Sequence, residues 1–165
     1  MPEAEPLVGR LRGRLDSAAA LGVPAHVTIL YPFVTPAAVT SDVIDAAAAA
    51  VASVRAFDGL FARTSWFGQD VLWLAPEPDE PFRELTGAVH AAFPQCPPFG
   101  GIYPGVVPHL TIGARPPGGL RALEAAEADV LTALPVRTRV SHAWLMTGSL
   151  APGSWRVAAE LPLGT

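Results

Sequence analysis

Two short segments of the chain repeat one pattern, His26-Val27-Thr28-Ile29 and His109-Leu110-Thr111-Ile112. In an extended strand the side chains alternate between faces with a period of two. Each segment therefore puts an imidazole and a hydroxyl on one face, about 7 Å apart along the strand, and two aliphatic residues on the other. Such a strand needs a core behind it and something other than core in front. Two of them in one chain predict two lobes of related build, each presenting a polar strand face. Each copy is followed by a Pro- or Gly-containing turn and then a helix, a weak internal repeat with the same implication.

Helix and strand periods alternate around these segments. Residues 3 to 15 place Leu7, Leu11 and Leu15 four apart, which predicts a helix. Residues 22 to 33 predict a buried strand that begins with Gly22 and Pro24 and ends at Pro32. A helix over 40 to 54 is capped by Thr40 or Ser41, with Asp42 and Asp45 near its positive end. Residues 56 to 68 and 70 to 76 predict strands joined through Gly68-Gln69-Asp70, and 78 to 93 a third helix. The stretch from 94 to 108 is too rich in proline and glycine for regular structure. Then come the strand 109 to 114, a helix over 118 to 134, and a long hairpin of 136 to 146 with 154 to 163, turning at Ala151-Pro152-Gly153. Mixed connections and hairpins favour an α+β fold with mostly antiparallel sheets over a doubly wound parallel sheet.

The 165 residues suit one domain, and a hydrophobic share of 50% excludes a disordered chain. No apolar run approaches the roughly 20 residues that span a bilayer. The charged, amphipathic start has no signal-peptide core, so the cytoplasm is the expected location. A lone cysteine, Cys96, leaves no disulfide framework and no cysteine zinc site. The formal charge is −4, and the 11 basic residues are all arginine. They are scattered except for Arg10, Arg12 and Arg14, which are expected to solvate one face of the first helix. That balance argues against a surface tracking a long nucleic-acid backbone, but leaves room for one phosphate or a short oligonucleotide.

Paired imidazoles and hydroxyls suit one kind of reaction. Imidazole titrates near neutrality, so one histidine can serve as a base while its twin serves as an acid. Opening a 2',3'-cyclic phosphate needs both: one activates water and the other protonates the leaving alkoxide. Threonine hydroxyls can donate to the non-bridging oxygens, where charge builds up in the transition state. No metal or other cofactor is needed, and the sequence offers no convincing metal set.

The stretch PAHVTILYPF (24 to 33), together with VPHLTIGA (107 to 114), resembles the two-histidine (2H) phosphoesterase superfamily, which includes bacterial 2'-5' RNA ligase-like proteins. The resemblance extends over nearly the whole chain and implies two α+β lobes around a central cleft, forming a single domain over residues 1 to 165. It implies His26 and His109 as the catalytic pair, with Thr28 and Thr111 as phosphate donors. The substrate implied is a small nucleotide or RNA terminus with a cyclic phosphate or 2'-5' linkage, handled by a monomer with no membrane partner. Members usually open with a short apolar strand before the first helix, whereas here helical spacing begins almost at Met1. The neighbour of the His26 strand is therefore not specified.

The remaining residues divide between packing and binding. Tyr31, Phe99 and Tyr103 flank the motifs and can stack on a base, whereas Phe33 reads as hydrophobic filling. Arg115 follows the second motif closely enough to reach a phosphate. His90 reads as a surface residue and His142 as structural, while Trp66, Trp73, Trp144 and Trp155 read as core. Cys96 has no basic neighbour to activate it. Two other readings fit the same residues: a cleft that binds a phosphorylated ligand without turning it over, and a diesterase for a non-RNA cyclic phosphate such as one derived from ADP-ribose.

Overall fold

Strands β1 (Phe57–Phe67) and β2 (Val71–Glu77) form an antiparallel hairpin through residues 68 to 70. The computed structural model describes residues 1–114 and 119–165, so Arg115 lies outside the described residues. Strand β3 (Leu110–Ala114) pairs with β2 and β4 (Val136–Val140) with β1, giving an antiparallel sheet of order β3-β2-β1-β4. Strands β5 (His142–Thr147) and β6 (Arg156–Pro162) form a separate hairpin. The helices are α1 (Glu5–Leu15), α2 (Ser17–Ala20), α3 (Ser41–Ala52), α4 (Glu80–Ala92) and α5 (Gly119–Leu131). The fold is α+β with antiparallel sheets, as the alternation of periods predicts.

One face of the large sheet is core. Leu72, Leu74, Leu110 and Ile112 are fully buried, in one cluster with Val8, Leu11 and Leu15 of α1 and Leu123, Ala126 and Val130 of α5. Burying an aliphatic side chain of this size contributes about 1.5–3 kcal/mol, so this layer fixes α1 and α5 against β3. The opposite face carries the cross-strand row Ser65, Trp73 and Thr111. Helix α3 packs on both α4 and the β5–β6 hairpin. Its N-cap is Thr40, whose hydroxyl accepts from Val43 N–H at 3.4 Å.

Two predicted strands need correction. Residues 25 to 28 keep the predicted alternation, with Ala25 and Val27 buried and His26 and Thr28 half-buried, while Ile29 is only half-buried; residues 23 to 30 belong to no strand ladder. Proline at 24 and 32 removes two N–H donors. Helix α1 supplies side-chain partners where a neighbouring strand would supply backbone: Glu5 accepts from Ala25 N–H at 2.7 Å, and Arg12 donates to Val23 O at 3.2 Å. Periodicity reports which residues are covered, not what covers them. The second correction is at Ser141, where the stretch read as one strand divides: β4 stays with β1 and β5 turns to β6. Trp144 is consequently exposed, its indole N–H donating to Glu160 across the hairpin, and Trp155 sits half-buried in the loop before β6.

Candidate active site

Both histidines are held alike. His26 Nδ1 lies 2.8 Å from Pro24 O, and His109 Nδ1 lies 2.7 Å from Val107 O, in each case the carbonyl two residues back. A carbonyl can only accept, so Nδ1 carries the proton in both rings and Nε2 keeps its lone pair. His26 Nε2 is 3.1 Å from Thr28 Oγ1, which must therefore donate to it. The predicted pairing of imidazole and hydroxyl two residues apart is thus a direct contact in the first motif. In the second, Leu110 and Ile112 are fully buried while His109 and Thr111 are half-buried on the other face.

Burial lowers the proton affinity of both rings. For His26 it outweighs the opposing hydrogen bond to Pro24 O, with Arg12 lowering and Asp16 raising the value further. For His109 it outweighs the bond to Val107 O. Both rings are therefore neutral at pH 7, and each can accept a proton at Nε2.

The cover over His109 is aromatic. Phe67 meets the ring edge-on at 5.0 Å between centroids, Trp73 lies at 5.9 Å, and Phe99 stacks at 6.1 Å with planes 27° apart. Phe67 and Trp73 stack on each other at 4.8 Å. Trp73 is buried, as core is expected to be, but among the described residues its indole nitrogen has no hydrogen-bond partner, and its ring borders the site. Phe67 was not anticipated. Its position two residues beyond Ser65, on the same face as the Trp73–Thr111 pair, is the signal that would have found it.

The loop from 94 to 108 joins the two motifs. Phe99 occupies the left-handed region at φ +52°, which costs a residue with a Cβ about 1–2 kcal/mol. From there its N–H donates to Tyr31 O at 2.7 Å while its ring covers His109. Tyr103 meets Phe99 edge-on at 6.0 Å and is 64% exposed, and Tyr31, 55% exposed, lies 6.5 Å from Trp155. Tyr31, Phe99, Tyr103 and His109 are thus linked into one neighbourhood, in which the two tyrosines are exposed and Phe99 is half-buried. Phe33 packs edge-on against Phe93, as filling.

The arginine cluster is corrected. Arg12 is 1% exposed rather than solvated, because Asp16 one turn on gives its guanidinium a buried partner at 2.7 Å. His90, expected at the surface, is half-buried at the end of α4; His142 lies against Trp144. Cys96 is buried. Among the described residues no three His, Cys, Asp or Glu side chains are grouped as metal ligands would be, and no helix is long and apolar enough to cross a membrane.

Residues 1–150 match the 2'-5' RNA ligase superfamily. No curated protein matches the sequence. Among solved structures, E. coli LigT in its apo form aligns with a TM-score of 0.59 at 16% identity, covering 100% of this chain and 93% of that one. A structure described as a phosphoesterase aligns with a TM-score of 0.58 at 16% identity, covering 100% and 94%. The likeness to these two is one of fold, and the match over residues 1–150 carries the assignment: the chain belongs to the 2'-5' RNA ligase superfamily.

Proposed function

We propose that the chain is a metal-independent phosphodiesterase that opens a 2',3'-cyclic phosphate or cleaves a 2'-5' linkage at an RNA end or small nucleotide. The observation that carries this reading is the matched pair of imidazoles. In both, the Nδ1 proton is committed to the carbonyl two residues back, leaving Nε2 as the reactive atom. In hydrolysis one Nε2 takes a proton from water as the water oxygen bonds to phosphorus. The bond from phosphorus to the 2' or 3' oxygen breaks, and that oxygen takes a proton from the other ring. Burial favours the neutral form of both rings, which suits the base. The negative charge of a bound diester raises the proton affinity of a nearby imidazole and so supplies the acid. Thr28 and Thr111 donate to the non-bridging oxygens; for Thr28 this requires its hydroxyl to turn away from His26 Nε2.

In the reverse direction the same groups join ends. Binding without turnover is the weaker reading, because a site built only to hold phosphate is better served by arginine's fork of donors. A cyclic phosphate from a non-RNA nucleotide fits the same pair of rings. The proposal includes a single bilobal domain working as a monomer in the cytoplasm, with Tyr31, Phe99 and Tyr103 stacking on the base. The test is turnover of a 2',3'-cyclic mononucleotide, with the product identified as the 2'- or 3'-phosphate, in EDTA and across pH. Turnover that survives chelation with a bell-shaped pH profile is expected. Tight binding with no product would favour the binding reading instead, and loss on chelation restored by a divalent ion would end the metal-independent mechanism.

A further inference from the structure

A fully buried guanidinium is expensive to desolvate, and an ion pair in that setting is weak evidence for a stabilising role, since apolar residues of similar volume commonly do as well. Arg12 is such a group: Nε and Nη2 both reach Asp16 Oδ2, at 3.1 and 2.7 Å, and Nη1 reaches Val23 O at 3.2 Å. Asp16 in turn accepts from Ala18 N–H at 3.0 Å and caps α2.

The Val23 contact gives this arrangement a purpose. Pro24 has no N–H, so apart from Val23 N–H, which donates to Ala18 O at 3.1 Å, the Val23–Pro24 unit is held through its two carbonyls. Arg12 holds the first, and His26 Nδ1 is held by the second. Fixing one carbonyl fixes the proline, and the proline carbonyl then fixes the tautomer and plane of the imidazole. The next residue is gripped from the same helix: Glu5 accepts from Ala25 N–H at 2.7 Å. Glu5 and Arg12 are seven residues, or about two turns, apart and so lie on one face of α1. Helix α1 also packs on β3, where Leu15 meets Gly113, two residues beyond Thr111, as well as on α2 and α5.

We propose that Arg12 and Glu5 are positioning residues that splint the His26 segment to α1, and through α1 to the strand carrying the second motif. Besides its contacts with Pro24 O and Thr28, His26 feels the charges of Arg12, Asp16 and the amino group of Met1, which donates to Ala25 O at 2.7 Å. The activity part of this inference rests on the proposed phosphodiesterase reading; the structural part does not.

The test is the double variant Arg12→Met with Asp16→Leu, which removes both charges together and leaves no orphaned carboxylate to unfold the protein. A second variant, Glu5→Gln, keeps an acceptor toward Ala25 and serves as the conservative control. Imidazole nitrogen NMR reads the tautomers of His26 and His109 without reference to activity. In the folded double variant His26 should lose its single Nδ1–H tautomer while His109 keeps its own. Cyclic phosphodiesterase kcat should fall about 10²-fold, the cost of a misplaced catalytic group, with KM little changed. A folded double variant whose His26 tautomer matches wild type would overturn the proposal. Loss of the tautomer in a protein whose wild type shows no turnover would uphold the splint and reject the phosphodiesterase reading.

Discussion

Gly113→Ala tests whether α1 sits where the site needs it. A Cβ at 113 would lie 2.7 Å from Leu15 Cβ, 2.8 Å from Leu123 Cδ2 and 3.3 Å from the Leu15 carbonyl oxygen. Ordinary contact begins at 3.4 Å, so the two carbon contacts fall about 0.6 to 0.7 Å short. Leu123 can yield by a rotamer change; Leu15 Cβ moves only with the α1 backbone. Overpacking of this kind costs about 1–3 kcal/mol. In a chain of this size each kcal/mol lowers Tm by about 2–4 °C, so a fall of about 2–12 °C is expected. The same displacement carries Glu5 and Arg12, and with them the His26 segment. At a temperature where the variant is fully folded, kcat should therefore fall by more than the lost folded fraction. Thermal unfolding followed by circular dichroism, with turnover measured well below Tm, separates the two effects. A variant with wild-type Tm would refute the close approach of α1 to β3.

Burial lowers the proton affinity of His26 and His109. As pH falls below the ordinary value of 6.5, the unfolded chain therefore takes up protons before the folded one. Stability should drop through that window and level off once the folded rings also protonate. Urea unfolding from pH 7 to 5 should show this slope, and the double variant His26→Gln with His109→Gln should flatten it; an unaltered slope would contradict the burial argument. Phe99→Gly and Phe99→Ala differ only by a Cβ at φ +52°, so the glycine variant should be the more stable by about 1 kcal/mol. Equal stabilities would mean that the left-handed turn is absent. A cyclic mononucleotide and a longer RNA with the same end should give similar kcat/KM and a shallow salt dependence, because a net charge of −4 leaves no stripe to neutralise many phosphates. A strong preference for the long strand that collapses with salt would reveal a backbone-binding surface.

Much of the fold was legible because covered and uncovered positions follow a period. Leu110 and Ile112 are core and His109 and Thr111 are not, as alternation requires. The limits are of one kind: a period says that a face is covered without saying by what. It could not show that α1 side chains, rather than a strand, hold Ala25, nor that the chain changes sheets at Ser141. Arg12 was misread because its burial depends on Asp16 and on a carbonyl 11 residues away. The aromatic cover over His109 draws Phe67, Trp73 and Phe99 from β1, β2 and a loop, and only tertiary structure assembles it.

Acid–base catalysis by two histidines needs each ring separately. The decisive measurement is turnover of a 2',3'-cyclic mononucleotide by His26→Ala and by His109→Ala, each first shown to be folded. Each variant should lose about 10²–10⁴-fold in kcat, the contribution of one proton-transfer group. Wild-type turnover by either one would contradict acid–base catalysis by the pair.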